Sequence, residues 1–372
     1  MKIQMMKVGD ITQFLEKWAP LSLQESYDNA GLLLGQSNWE CTGVLCCLDV
    51  TEALLVEAKN KNCNLIVAHH PLIFGGLKRI NGSQATERVV IEAIKNEIAI
   101  YAIHTNLDNV VDGVNGKIAS LLGLQQCRVL LPLAQSLKKL ITYVPISSLE
   151  KVRTALFEAG AGHVGNYSEC SFSSVGEGTF KGGLGTQPFV GQPGLLHTEK
   201  EAKLEVVLQA TNTSAVLHAL RTAHTYEEVA YDLLTLDNTN DQVGSGLIGH
   251  LPEPVEEVSF LKRISSIFKV PLVRHTQPLG KAIQTVAVCG GAGQFLIKNA
   301  LKAGAQAFIT ADLKYHDFFL ADNKILLADV GHYESEQFTI DLLQERLAEK
   351  FPTFAVLKTS VSTNPVNYLW HK

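Results

Sequence analysis

The chain has 372 residues, a length that suits two or three domains, and 46% of them are hydrophobic, an ordinary share for a globular protein with a large core. Lys+Arg total 32 against Asp+Glu 37, a formal net charge of −5 with no block of like charge, which argues against a broad nucleic-acid surface because that needs a basic stripe. No apolar run reaches the roughly 18 residues of a membrane span, MKIQMMKVGDITQFLEKW lacks the apolar centre of a signal peptide, and a cytoplasmic location is expected.

The first third alternates helix and strand. A helix is predicted at VGDITQFLEKWAP, ended by Pro20, and a short apolar run GLLLG follows. Then come strand TGVLCCLDV, helix TEALLVEAKNKN, strand CNLIVA, helix SQATERVVIEAIKNE, strand IAIYAI and helix GVNGKIASLLG. Strands separated by helices of this length imply βαβ units and a mostly parallel sheet. The stretch from about Leu137 to Gly246 has a different grammar. It reads strand, helix, a Gly- and Ser-rich stretch, strand, helix and strand, the pattern of a small α+β domain with an antiparallel sheet. The last third returns to the first style. Strand TVAVCGG, helix QFLIKNALKAG, strand AQAFIT, helical KYHDFFLAD and strand KILLADV lead into a long helix to about Lys350, and FAVLKT is a final strand. The expected architecture is a discontinuous α/β core, residues 1–136 and 247–372, with an α+β domain inserted at 137–246.

Strand ends carry the chemistry. In open α/β sheets, ligands bind outside the carboxyl ends of the strands. CNLIVA runs into His69 and His70, EIAIYAI into His104 and then Asp108, and KILLADV into His332 and Glu336. His332 and Glu336 are four apart at the start of a helix and so share a face. Pro71 places HHP where strand gives way to loop, so the two imidazoles can serve different ions. Imidazole plus carboxylate suits zinc, manganese, iron or nickel. Five such ligands exceed the three protein ligands usual for one catalytic zinc. Two divalent ions are therefore expected, zinc first among the candidates, with Glu336 as the bridging carboxylate. His104 reads as a further ligand or as a partner that orients one. Asp312, Tyr315 and His316, in ITADLKYHDF, are placed near the pocket edge, and His316 or His104 is expected to move protons as the acid or base.

Other signals are weaker. VCGGAGQFL sets Gly290, Gly291 and Gly293 between a strand and a helix, either as a tight turn or as amides offered to a phosphate; the full GxGxxG spacing is absent. Asp28 and Asn29 lie beside the GLLLG run, and Asp49 ends a strand with Thr51 as N-cap; these are read as structural. His163 is isolated in the Gly-rich stretch. HTYEEVAYDLL in the middle region reads as a turn into a strand with no metal-like spacing. The seven cysteines (41, 46, 47, 63, 127, 170 and 289) form no CxxC, and several sit in apolar runs, so they read as reduced core residues.

SYDNAGLLLG, IVAHHPLIF, HTNLD, VCGGAGQFLI, FITADLKYHD and DVGHYESE occur in that order. Together they resemble the family of GTP cyclohydrolase 1 type 2 homologs, the Nif-three-like dinuclear-metal proteins, over essentially the whole chain. The resemblance implies a metal pair on His69, His70, Asp108, His332 and Glu336. It implies a toroidal homohexamer, a trimer of dimers, with a middle insert resembling the PII/CutA-like fold. The family's name implies hydrolysis of GTP to a dihydroneopterin triphosphate with release of formate. A metal-dependent hydrolase acting on a nucleotide is the leading expectation, and phosphoester hydrolysis suits the same metals. Non-enzymatic metal handling, scaffolding and sensing by the insert are the rivals.

Overall fold

In the computed structural model, which describes residues 5–369, the chain divides into two compact units. One is made from the two ends of the chain, up to Pro132 and from Asp241 onward; the other is Leu133–Asn240. The first part of the chain contributes β1 (Gly31–Leu34), β2 (Val44–Cys47), β3 (Leu65–Ala68), β4 (Ala99–Ala102) and β5 (Gln125–Pro132). The middle contributes β6 (Leu137–Pro145), β7 (Ser171–Lys181), β8 (Leu196–Gln209) and β9 (Tyr231–Thr235). The last part contributes β10 (Gly244–Val255), β11 (Arg274–His275), β12 (Ile283–Ala292), β13 (Ala307–Ala311), β14 (Leu326–Asp329) and β15 (Val356–Lys358).

The larger unit holds two sheets. The first has the order β1-β4-β3-β2-β15, parallel except for the antiparallel edge strand β1. Every residue of β2, β3 and β4 is buried, so both faces are covered, as a parallel sheet requires. On one face Leu45, Cys47, Ile66, Ala68 and Ile100 pack against Leu54, Leu55, Val89 and Ala93 of helices Glu52–Asn60 and Ala85–Lys95. Thr51 caps the first of these helices, its side chain accepting from the Leu54 amide.

The second sheet corrects the expectation of mostly parallel pairing. Its order is β11-β14-β13-β12-β10-β5, and only β12–β13 and β13–β14 pair in parallel. The antiparallel strands β5 and β10 flank the middle segment in sequence, and a shared edge lets the chain leave this sheet and return to it. Ala287, Cys289, Phe308 and Leu327 form its core with Leu296, Ile297 and Ala300. The smaller unit is an antiparallel sheet in the order β7-β8-β6-β9. Leu140, Val144, Leu204 and Val206 on that sheet pack against Val152, Leu156, Val216 and Leu220 of helices Leu149–Glu158 and Thr213–Ala223.

Two expected helices differ. KYHDFFLAD is a 3₁₀ segment, Tyr315–Ala321. The long helix after KILLADV is two pieces, His332–Glu336 and Thr339–Lys350, separated at Gln337 and Phe338. The break lets the short piece point at the site while the long one packs through the buried Leu343 and Leu347. None of the helices among the described residues is long and apolar enough to cross a membrane. All seven cysteines are free, five of them buried, and burial pushes Cys41 up to about 12 and Cys46, Cys47 and Cys289 higher still.

Candidate metal centre

The five residues named from strand ends converge in the larger unit. His69 and His70 follow β3 directly; their amides extend the ladder to the carbonyls of Cys47 and Leu48. His104 follows β4 and caps the single turn Thr105–Asp108, which puts Asp108 one helical turn beyond it. His332 opens the short helix after β14, and Glu336 sits one turn on with His332 Nε2 3.1 Å from its Oε2. Gly331 supplies the bend before His332 at φ +88°, where a Cβ would meet the Glu334 carboxylate at 2.3 Å.

Glu336 lies at the centre, 3% exposed. Its Oε2 is 2.9 Å from His70 Nε2, and its Oε1 is 3.8 Å from His69 Nε2. His69 Nε2 lies 3.7 Å from Asp108 Oδ1, and His332 Nε2 lies 3.4 Å from His70 Nε2. Two donor sets result, His69 with Asp108 and His70 with His332, and one Glu336 oxygen faces each. Three groups have donor atoms that all lie within 4.8 Å of one another: His69/Asp108/Glu336, His70/His332/Glu336 and His69/His70/His104. Zn–N and Zn–O distances of about 2.0–2.2 Å put tetrahedral donors about 3.3–3.5 Å apart, and the observed gaps bracket that spacing. His69 Nε2 and Asp108 Oδ1 are buried without a hydrogen-bond partner. Such orphans are costly unless something else satisfies them, and a cation between them would do so. The residues therefore fit divalent metal.

Each imidazole is held through its other nitrogen. His69 Nδ1–H donates to the Ile103 carbonyl at 2.8 Å. His70 Nδ1–H donates to Asp49 Oδ1 at 2.7 Å, His332 Nδ1–H to Asp312 Oδ2 at 2.6 Å, and His104 Nδ1–H to Asp28 Oδ1 at 2.7 Å. These contacts fix the tautomer and turn Nε2 inward, the arrangement usual around metal-bound histidine. Asp28, Asp49 and Asp312 thus have a role that spacing did not reveal. Asp49 is itself fixed by the Thr363 hydroxyl at 2.7 Å. Asp312 holds a left-handed backbone, φ +56°, a strained state that Asp tolerates and that concentrates at functional sites.

The electrostatics follow from burial and pairing. Burial opposes charge on His70 and His332, yet Asp49 and Glu336 raise the first to about 10, and Glu336 and Asp312 raise the second to about 9. Burial lowers His69 and keeps it neutral. Burial and the neighbouring Glu336 charge hold Asp108 well above the usual carboxylate range. Glu336 stays ionised despite burial because three imidazoles surround it. Asp28 is brought to about 2, against the effect of its burial, by His104 and Thr105.

The remaining predicted residues separate clearly. The amides of Gly290, Gly291 and Gly293 already donate to Asn115 Oδ1, Ser335 Oγ and Thr310 Oγ1 at 3.0, 3.0 and 2.9 Å. They offer nothing to a phosphate. Gly291 is needed for another reason: a Cβ there would lie 2.3 Å from Glu336 Oε1. His316 is exposed, in ring contact with Tyr315 and Phe319, and is not among the residues lining the cavity over the centre. That cavity, about 580 Å³, has the exposed rings of Tyr27, Phe74 and Phe295 at its wall and His104, Asp108 and Glu336 at its base. Tyr27 and Phe74 are 6.2 Å apart between ring centroids.

Known proteins are similar to this chain over nearly its whole length. The family model of Duf34/NIF3 (NGG1p interacting factor 3) matches residues 6–365. A Halalkalibacterium halodurans protein named GTP cyclohydrolase 1 type 2 homolog is 40% identical over 365 residues, covering 96% of this chain and 98% of the relative. A Bacillus subtilis protein of the same name is 36% identical over 372 residues, covering 96% and 98%. Among solved structures, a Bacillus cereus protein related to NIF3 superposes with a TM-score of 0.84 at 37% identity, covering 98% of this chain and all of that one (100%). A Staphylococcus aureus protein gives 0.78 at 28% identity, covering 98% and 99%. The chain belongs to the Duf34/NIF3 family.

Proposed function

We propose that this protein is a dinuclear-metal hydrolase whose ions are held by His69, His70, Asp108, His332 and Glu336. The observation that carries the proposal is the position of Glu336, whose two oxygens face two separate donor sets. Zinc is the preferred ion for this imidazole and carboxylate set, with manganese, iron or nickel as alternatives. Divalent ions in such a site supply Lewis acidity, which acidifies water and polarises the bond under attack. His104 lines the same cavity and is oriented by Asp28, which supports it as the candidate to hold or pass a proton. Tyr27, Phe74 and Phe295 give a flat ring surfaces to stack on. No lysine or arginine is among the described residues lining the cavity. The three rings therefore favour a substrate that carries a flat ring.

A nucleotide base is such a ring, and the name carried by the relatives points to GTP. The test is GTP turnover by metal-reconstituted protein, with formate and the dihydroneopterin product both quantified and His69→Ala as control. Multiple turnovers lost in the variant would establish the activity. No turnover of GTP or of a phosphodiester by protein shown to hold metal would favour the rival reading of metal handling. The same reading takes the working unit as a cytoplasmic homohexamer with residues 137–246 as a PII/CutA-like insert.

Two consequences concern metal itself. Asp49→Asn and Asp312→Asn should each weaken metal binding about 10–100-fold, because each frees an imidazole from its partner; competition titration against a chelating dye measures this. Metal uptake should also depend steeply on pH. With His70 raised to about 10 and His332 to about 9, both imidazoles carry an extra proton at pH 7 that an incoming ion must expel. Apparent affinity should therefore rise as pH rises from 6 toward the raised imidazole values of about 9 and 10. Calorimetry in buffers of different ionisation enthalpy should register about two protons released per filled centre.

A further inference from the structure

The smaller unit holds a cavity of its own. It has a volume of about 760 Å³, within the range of small-molecule sites. One wall is β7 and β8, and another is the loop 182–189. Four aromatic residues line it, Tyr143, Phe180, Phe189 and Tyr226. Phe180 and Phe189 lie 6.1 and 6.5 Å from Tyr226 between ring centroids. Glu201 joins them, 9% exposed, with Oε1 accepting from the Tyr226 hydroxyl at 2.8 Å.

Several features fix this arrangement. Gly178 leaves room for the Glu201 carboxylate, because a Cβ there would lie 2.1 Å from Oε2. Burial keeps His224 neutral. Its Nδ1 accepts the Tyr226 amide, and its Nε2–H donates to the Tyr143 carbonyl, both at 3.0 Å. Glu227 accepts from the Gln187 amide at 3.1 Å and ties the loop that carries Phe189 to the segment that carries Tyr226. The HTYEE motif at 224–228, which has no part in the metal centre, thereby gains a purpose.

Carboxylates outnumber cations around the cavity, four to two. Glu177, Glu201, Glu227 and Glu228 line it against Lys181 and Lys203, and Lys203 is paired with Glu205 at 2.7 Å. Aromatic faces attract a cation through their quadrupole, and a buried carboxylate beside them selects for positive charge. We propose that this cavity binds a compact organic cation, an ammonium group carried on an apolar body.

The experiment is calorimetric titration of the full-length protein with benzyltrimethylammonium, with benzyl alcohol and benzoate as neutral and anionic counterparts. Saturable binding of the cation alone, at one site per chain, is expected. Glu201→Gln should weaken it about tenfold or more, and Phe189→Ala, at an exposed loop position, severalfold. Phe189→Ala leaves the sheet and its helices untouched, so it decides the matter should Glu201→Gln fail to fold. Absence of saturable binding, equal binding of benzyl alcohol or benzoate, or cation binding unchanged in the folded variants would overturn the proposal.

Discussion

Glu336→Gln is expected to empty the metal centre while leaving the chain folded. The substitution keeps the shape of the side chain but removes the charge that faces His69, His70 and His332 at 3.8, 2.9 and 3.1 Å. Loss of an outer partner alone costs about 10–100-fold in metal affinity, so loss of the shared carboxylate should exceed about 100-fold for both ions. The readout is metal per chain after desalting, by mass spectrometry. Thermal unfolding gives a second readout. An ion present at a thousand times its Kd stabilises the folded state by about 4 kcal/mol, so zinc should raise the melting temperature of the parent protein and leave that of the variant nearly unchanged. Combining the substitution with His332→Ala should remove the remaining affinity. Full metal retention in the double variant would remove these residues from the centre.

Gly291→Ala should damage the same centre from behind. Gly291 adopts φ +59°, a state that costs a non-glycine residue about 1–3 kcal/mol. The added Cβ would also lie 2.3 Å from Glu336 Oε1, the oxygen that faces His69 and Asp108. Either the carboxylate or the β12 backbone must move. The expected result is a folded protein, destabilised by a few kcal/mol, that keeps less than half of its bound metal. Gly280→Ala is the control: its φ is also positive, +71°, but nothing lies within 4 Å of the new Cβ. That variant should lose stability and keep its metal. Equal metal content in the two variants would show that Gly291 is needed for its backbone angle alone.

The residues of the centre could be read from the chain because imidazoles and carboxylates are conspicuous after buried apolar strands. KILLADV before Gly331-His332 and CNLIVA before His69-His70 end where β14 and β3 deliver those residues into one place. Asp49, Asp28 and Asp312 were harder, because an aspartate beside a strand reads equally well as a cap or a turn residue. What distinguishes them is a partner 21, 76 or 20 residues away, a tertiary fact that no local pattern carries. The signal that was available was position: Asp49 and Asp312, like the ligands, follow buried strands directly. His316 failed for the converse reason. Its spacing placed it near a strand end, but the segment forms a 3₁₀ turn and the ring faces outward beside Tyr315 and Phe319.

The fold shows the same division. Parallel strands with fully apolar runs, such as LIVA and AIYA, were visible from composition. Strands β5 and β10 were not, because QQCRVLLP and GSGLIGHLPEPV mix polar residues, proline and glycine with apolar ones. They are stabilised by pairing with each other across 111 or more intervening residues, as in Gly244 with Pro132 and Ser245 with Leu131. The Gly290–Gly293 amides show how a local motif misleads. A Gly-rich turn before a helix suggests an anion site, yet Asn115, Ser335 and Thr310 have taken the donors.

The most direct test of the central claim is anomalous diffraction at the zinc edge from crystals of zinc-loaded protein. Two peaks per chain are expected, one among His69, Asp108 and Glu336 and the other among His70, His332 and Glu336. A single peak, or peaks away from Glu336, would contradict the dinuclear centre.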